Sequence, residues 1–287
     1  MGSALPIFLF ILMLGMGLTL TISDFRRVGQ YPKAATVGLI GQLVLLPLCA
    51  FLLAASLPLR PEIAMGVMIL AVCPGGILSN LITHLARGEV ALSVSLTCTS
   101  SLVTVITMPL LLNGALLYFM GESSPVELPL LQTAKKIMLI TALPIAIGMG
   151  LRAIAPGLSG KVEPIIRLLG WLFLPLMIYL IWSNQQGQLS SYLAQAGLVT
   201  LALSLITLAI GVIGGLLARL QRKQVLTLGI EVGAQNALLG GTIALSPGLL
   251  NNAAMAVVPV IYGSMMLLVL GLFVAAFRLG ERLLPAR

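Results

Sequence analysis

The chain has 287 residues, is 59% hydrophobic and 8% charged, and has a mean hydropathy of +1.11. So little charge excludes a water-soluble domain of this length and points to one integral membrane domain in a lipid bilayer. The net charge of +8 comes from basic residues set singly or in pairs between apolar runs, not in a stripe with interleaved aromatics, which argues against a nucleic-acid partner.

Cutting the apolar runs at polar, proline or glycine punctuation predicts nine transmembrane helices, at about 4–22, 32–56, 62–85, 88–120, 128–153, 162–184, 190–219, 223–246 and 250–280. The first reads as a span, not a signal peptide, because its basic residues follow it and none precede it. The second carries Gln42 in its first half. The third is apolar until Cys73-Pro-Gly-Gly-Ile-Leu-Ser-Asn80, where Pro74 removes a backbone donor and two glycines weaken the helix. A break there is tolerated in lipid only where protein or a water-filled cavity satisfies the freed groups. The fourth span places Ser93 and Thr97 four residues apart on one face. Lys135 and Lys136 fall inside the fifth span, where the topology gives them no role. Gly211 and Gly215 in the seventh fit close helix packing.

The eighth span holds Glu231, the only acid well inside an apolar segment of membrane length. An ionisable group at that depth costs about 3 kcal/mol on insertion scales. Gly233, Gly240 and Gly241 weaken the helix around it, and Gln235 and Asn236 add amides, so a second break is expected at 231–236. In the ninth span the middle stretch, Tyr262 to Leu267, has few polar groups and no basic one. Thirteen of the sixteen basic residues fall on one side of this topology, with Arg60 opposite, which orients the N-terminus outside and the C-terminus in the cytoplasm.

The third and eighth spans are five apart, cross in opposite directions, and are each interrupted ahead of an asparagine, Asn80 or Asn236. Two such breaks mark the midplane site of a transporter with inverted repeats. The polar side chains left within the spans are Gln42, Ser79, Asn80, Ser93, Thr97, Glu231, Gln235 and Asn236. They offer hydroxyl, amide and carboxylate oxygens and no soft ligand, which suits a hard monovalent cation and not zinc or copper. His84 has no cysteine or acid at metal-ligand spacing, and Cys49, Cys73 and Cys98 read as small hydrophobes. No nucleophile–histidine–acid set, Walker motif or dinucleotide fingerprint appears, so neither an enzyme nor an organic cofactor is expected. The alternatives are a proton-coupled carboxylate transporter with Glu231 as carrier and, more remotely, an intramembrane lipid-modifying enzyme. A sensor or scaffold would not need the polar centre.

Cys73-Pro-Gly-Gly-x-x-Ser-Asn80, continuing through Leu85-Ala-Arg-Gly-Glu-Val-Ala-Leu-Ser93, resembles the signature of the bile acid:sodium symporter family. Gly229-Ile-Glu-Val-Gly-Ala-Gln-Asn236 resembles its second signature, and the likeness extends over essentially the whole chain from Gly15 onward. The resemblance implies an all-α, inverted-repeat transporter fold of the bacterial nine-span type in a plasma (inner) membrane. Two discontinuous helices would cross at its centre. A panel of 4–22, 128–153 and 162–184 would move against a core of 32–120 and 190–280, with breaks at 73–80 and 231–236. Two sodium ions and an organic anion, a bile acid or small carboxylate, would be its ligands, with no obligate protein partner. By motif position, sodium site one would use Ser79, Asn80, Ser93, Thr97 and Glu231. Site two would use Gln42, Glu231, Gln235 and the carbonyls of Val232 and Ala234. The anion would sit near Gly76, Ile77 and Asn236. Ile77 departs from the family pattern, where threonine is frequent, and many members have a tenth span ahead of the first one here.

Overall fold

The structure, a computed structural model, describes residues 4–121, 130–157, 189–246 and 248–283, with isolated positions between 160 and 183. Among the described residues the chain is helical apart from turns and one isolated bridge, and has no β-strand. Five helices are long and apolar enough to cross a membrane: Pro32–Ser56, Val90–Met120, Leu131–Ile154, Ser191–Leu217 and Val257–Gly280. Pro6–Thr19 and Pro61–Ala71 are shorter apolar helices. The expected span 162–184 lies largely outside the described residues.

Both interruptions are present and both are shorter than the sequence pattern implies. Helix 61–71 ends at Ala71 and the chain becomes helical again at Ile77. Helix 222–233 ends at Gly233 and helix 237–245 begins at Ala237. The expected bounds 73–80 and 231–236 are therefore corrected to 72–76 and 234–236. The reason is local. Gly76 is extended and its carbonyl accepts both the Ser79 N–H (3.1 Å) and the Ser79 hydroxyl (2.7 Å). That closes the first turn early and puts Ser79 and Asn80 on a helix. On the other side nothing stops the helix before Gly233, so Glu231 sits in its last turn. Gly240 and Gly241 do not unwind helix 237–245. A β-carbon at Gly240 would stand 3.3 Å from the Pro259 ring and 3.5 Å from Cys73 Sγ, so its bare Cα serves packing.

The two unwound stretches meet. Gly75 and Gln235 form an antiparallel bridge, and the Asn236 N–H donates to the Pro74 carbonyl at 3.0 Å. Each stretch so satisfies backbone groups that the other's break released, as a buried backbone requires.

Helix 32–56 contains a π turn at Gly41–Leu45, and helix 131–154 another at Met138–Ala142. Each precedes a Leu-Pro pair, Leu46-Pro47 or Leu143-Pro144. The proline lacks an N–H for the carbonyl four residues earlier and crowds it. The leucine N–H instead bonds five residues back, Leu46 to Gly41 and Leu143 to Met138, and the extra residue widens the turn. Lys136 Nζ donates to the Gly248 carbonyl at 2.5 Å, joining helix 131–154 to the turn after helix 237–245.

Helices 4–19 and 131–154 cross backbone to backbone at two glycines. A β-carbon at Gly148 would stand 2.2 Å from the Leu14 carbonyl oxygen, and one at Gly17 2.1 Å from that of Ile145. Gly150 has open space there. Gly148→Ala should therefore destabilise by about 1–3 kcal/mol, the usual cost of overpacking, and Gly150→Ala should be neutral. Unfolding midpoints in detergent check the pair, and equal midpoints would refute the tight crossing.

Candidate ion and substrate site

Glu231 is completely buried, at 0% exposure. Its Oε2 accepts a hydrogen bond from Ser93 Oγ at 2.5 Å, and its Oε1 accepts one from Thr97 Oγ1. Ser93 Oγ also lies 2.8 Å from Asn80 Oδ1, and Thr97 Oγ1 lies 3.5 Å from Asn80 Oδ1 and 3.4 Å from Ser79 Oγ. Three elements supply these groups: helix 77–85 gives Ser79 and Asn80, helix 90–120 gives Ser93 and Thr97 one turn apart, and helix 222–233 gives the carboxylate. All five side chains of the first expected site are thus brought together.

Gly75 forms the wall of this cluster. A β-carbon there would stand 2.6 Å from Glu231 Oε1, 3.3 Å from Thr97 Oγ1 and 3.4 Å from Gln42 Nε2. Gln42 is carried by the π turn of helix 32–56 and is 1% exposed, as is Gln235. Neither polar atom of the Gln42 side chain has a hydrogen-bond partner among the described residues. Gln235 turns back so that its Nε2 donates to the Val232 carbonyl at 2.8 Å, which leaves its Oε1 buried without a partner. The Val232 carbonyl, expected as a free ligand, is thereby already engaged by the amide, with one lone pair left. Ala234, in the unwound stretch, carries the remaining carbonyl of the set.

The expected substrate residues lie on the same crossing. Gly76 packs against Asn236, where an added β-carbon would stand 3.7 Å from the Asn236 Cα. Asn236 Oδ1 accepts the Leu239 N–H at 3.0 Å and caps helix 237–245, whereas helix 77–85 starts at a glycine and has no side-chain cap. The Ile77 side chain lies outside the described residues. The sequence pattern did not single out Gly75, because its neighbour Gly76 looks identical in one dimension. Tyr262 was missed as well, although a lone phenol in an apolar run is itself a signal that a partner exists. Among the described residues no group of three His, Cys, Asp or Glu side chains could hold a metal ion.

The sequence profile of the Sodium Bile acid symporter family matches residues 6–192. The chain belongs to that family. It is an integral membrane transporter and not an enzyme. It is 33% identical over 250 residues to an uncharacterized sodium-dependent transporter of Bacillus subtilis, covering 85% of this chain and 74% of that protein. It is 34% identical over 240 residues to a chloroplastic protein of Arabidopsis thaliana named as a probable sodium/metabolite cotransporter, covering 82% of this chain and 57% of that protein. A sodium/bile acid cotransporter of Homo sapiens shares 36% identity over 145 residues, half of this chain and 33% of its own length. The chain therefore spans about three quarters of the Bacillus relative and little more than half of the chloroplastic one. The family profile spans the first break and ends ahead of the second, whereas the match to the Bacillus relative, over 85% of the chain, leaves too few residues at either end to miss either break.

Proposed function

We propose that this family member is a sodium-coupled symporter of an organic anion, with two sodium sites that share Glu231. The observation that carries the proposal is a shortage of protons around a buried carboxylate. The Ser79 hydroxyl proton is committed to the Gly76 carbonyl. That leaves two hydroxyl protons, on Ser93 and Thr97, facing Asn80 Oδ1 and both Glu231 oxygens. Among these groups the acceptor oxygens outnumber the hydroxyl protons, with Gln42 Nε2 at the same wall a further donor without a partner, and a hard cation is the ligand that such a set of oxygens favours. The amide oxygens of Gln42 and Gln235, buried without a hydrogen-bond partner, would with the Val232 and Ala234 carbonyls make up the second set, which shares Glu231.

Two sodium ions and one carboxylate leave a net charge of about +1 in a medium of low dielectric, which attracts an anion. The start of helix 77–85, without a side-chain cap, offers backbone N–H groups at the crossing, and such an end favours negative charge, whereas the Ala237 and Leu239 N–H groups of helix 237–245 are already taken by the Gln235 carbonyl and Asn236 Oδ1. Gly76, Ile77 and Asn236 border that place. Transport then follows by alternating access in a nine-span, inverted-repeat fold: a panel containing helices 4–19 and 131–154 moves against a core containing the two broken helices. Ions that bind one arrangement of the unwound strands more tightly shift the balance between the two states. The names of the relatives, a sodium-dependent transporter, a probable sodium/metabolite cotransporter and a sodium/bile acid cotransporter, support sodium as the coupling ion and an organic anion, a bile acid or small carboxylate, as the substrate proposed here.

The test is uptake into proteoliposomes of a labelled bile acid and a labelled keto acid, each driven by an inward sodium gradient. Uptake of either that collapses when potassium replaces sodium is the expected result. Accumulation driven equally by an inward proton gradient without sodium would contradict it.

A further inference from the structure

Gly233 ends helix 222–233, and its carbonyl has lost its usual helical donor, because the Ala237 N–H donates to the Gln235 carbonyl at 2.9 Å. A released carbonyl in a buried position needs another donor. Tyr262 Oη supplies it, donating to the Gly233 oxygen at 2.8 Å across from helix 257–283. The same phenol oxygen lies 3.1 Å from Thr207 Oγ1 on helix 189–217, whose one proton is shared between the phenol and the Ser204 carbonyl, 3.0 Å away. Tyr262 and Thr207 are both 0% exposed. A β-carbon at Gly233 would stand 3.1 Å from Leu270 Cδ2, so the bare glycine is what lets helix 257–283 come this close to the backbone.

The consequence falls on the next peptide. The plane that carries the Gly233 carbonyl also carries the Ala234 N–H, so holding the carbonyl fixes how the strand leaves the helix. Ala234 and Gln235 are the next residues, and the Gln235 amide is already turned back onto Val232.

We propose that Tyr262 is a positioning residue for the second sodium site. It does not touch the ion. By holding the Gly233 carbonyl it keeps Ala234 and Gln235 in the geometry that binds sodium, and it ties occupancy of that site to helix 257–283. The proposal rests on the two-site reading above. It also assigns a use to the one phenol of helix 257–283, buried near the start of that helix.

The experiment is equilibrium binding of radioactive sodium to the detergent-purified protein at constant ionic strength, with choline as the balancing cation. The variants are Tyr262→Phe, Thr207→Val and Thr207→Ser. Tyr262→Phe keeps the ring and loses one hydrogen bond, and should raise the sodium half-saturation of the weaker phase by about five- to tenfold. Thr207→Val should move it in the same direction by less, and Thr207→Ser, which keeps the hydroxyl, should restore the wild-type value. A phenol that served packing alone would change the unfolding midpoint and leave half-saturation where it was. Unchanged half-saturation in both Tyr262→Phe and Thr207→Val, in a wild type that binds sodium in two phases, overturns the proposal alone. A wild type that binds no sodium, or a single ion, overturns the two-site reading along with it.

Discussion

Replacing Glu231 with alanine abolishes sodium-driven uptake and leaves folded protein in the membrane. Among the described residues the carboxylate is the only anionic group at the crossing, and both proposed ion sites use it. Without it, two cations would meet in a medium of low dielectric with no counter-charge, and neither would bind. Folding responds less, because two losses and one gain compete. Hydrogen bonds from Ser93 and Thr97 to a charged acceptor are worth about 1.5–3 kcal/mol each, and their removal costs stability. Taking an ionisable group out of an apolar span returns about 3 kcal/mol. The net change is therefore modest, and the variant should be recovered as a monodisperse species in amounts near wild type. Uptake that persisted at a wild-type rate would refute the assignment of the carboxylate.

Gly75→Ala is expected to be nearly as severe, although it changes one hydrogen into a methyl group. Its β-carbon would stand 2.6 Å from Glu231 Oε1, with Thr97 Oγ1 and Gln42 Nε2 at 3.3 Å and 3.4 Å. Gly75 has no positive φ, so its backbone admits alanine and the conflict is purely steric. Neither side yields cheaply: Glu231 is held by two hydroxyls, and the strand by its bridge to Gln235. Displacing either by a few tenths of an ångström spoils a cation cluster whose oxygens must converge. The sodium half-saturation should rise by more than about tenfold, the loss of roughly 1.4 kcal/mol. Gly76→Ala, where the nearest heavy atom would be 3.7 Å away, should keep its sodium response. Sodium titrations of the two variants side by side check this, and equal behaviour would show that the wall at Gly75 is not there.

The parts of the site that were legible in the sequence are those whose cost has no ordinary compensation. An acid in the middle of a membrane-length apolar run demands a partner wherever it lies, so Glu231 stood out. Helical spacing put Ser93 and Thr97 on one face, and the likeness to the family signature gave them a place in the site. The interruptions were legible as places and not as extents. Whether the first turn of helix 77–85 closes depends on the Ser79 hydroxyl finding the Gly76 carbonyl, a contact that no pattern of residue types encodes. Gly240 shows the converse, since the same residue type that ends one helix lets another pack against Pro259 and Cys73. The π turn at Gly41–Leu45 was out of reach, because one extra residue in a turn leaves an apolar run looking the same. That turn sets which way Gln42 points. The partner of Tyr262 was illegible for a related reason: it is a backbone carbonyl, freed by a break 29 residues earlier, and carbonyls carry no letter in a sequence.

Lys136 belongs with these. A lysine inside an apolar span had no partner in the topology, and in the folded chain it reaches the carbonyl of Gly248, which follows the second broken helix.

The most direct test of the central claim is thermal unfolding of the detergent-purified protein, titrated with sodium chloride against potassium chloride, for wild type and Glu231→Gln. A ligand that binds only the folded state raises its stability by mass action. The account predicts a rise in the wild-type midpoint with sodium and not with potassium, and none in Glu231→Gln, which keeps the shape of the side chain and removes its charge. A midpoint equally raised by potassium, or a sodium response that survives in Glu231→Gln, would contradict it.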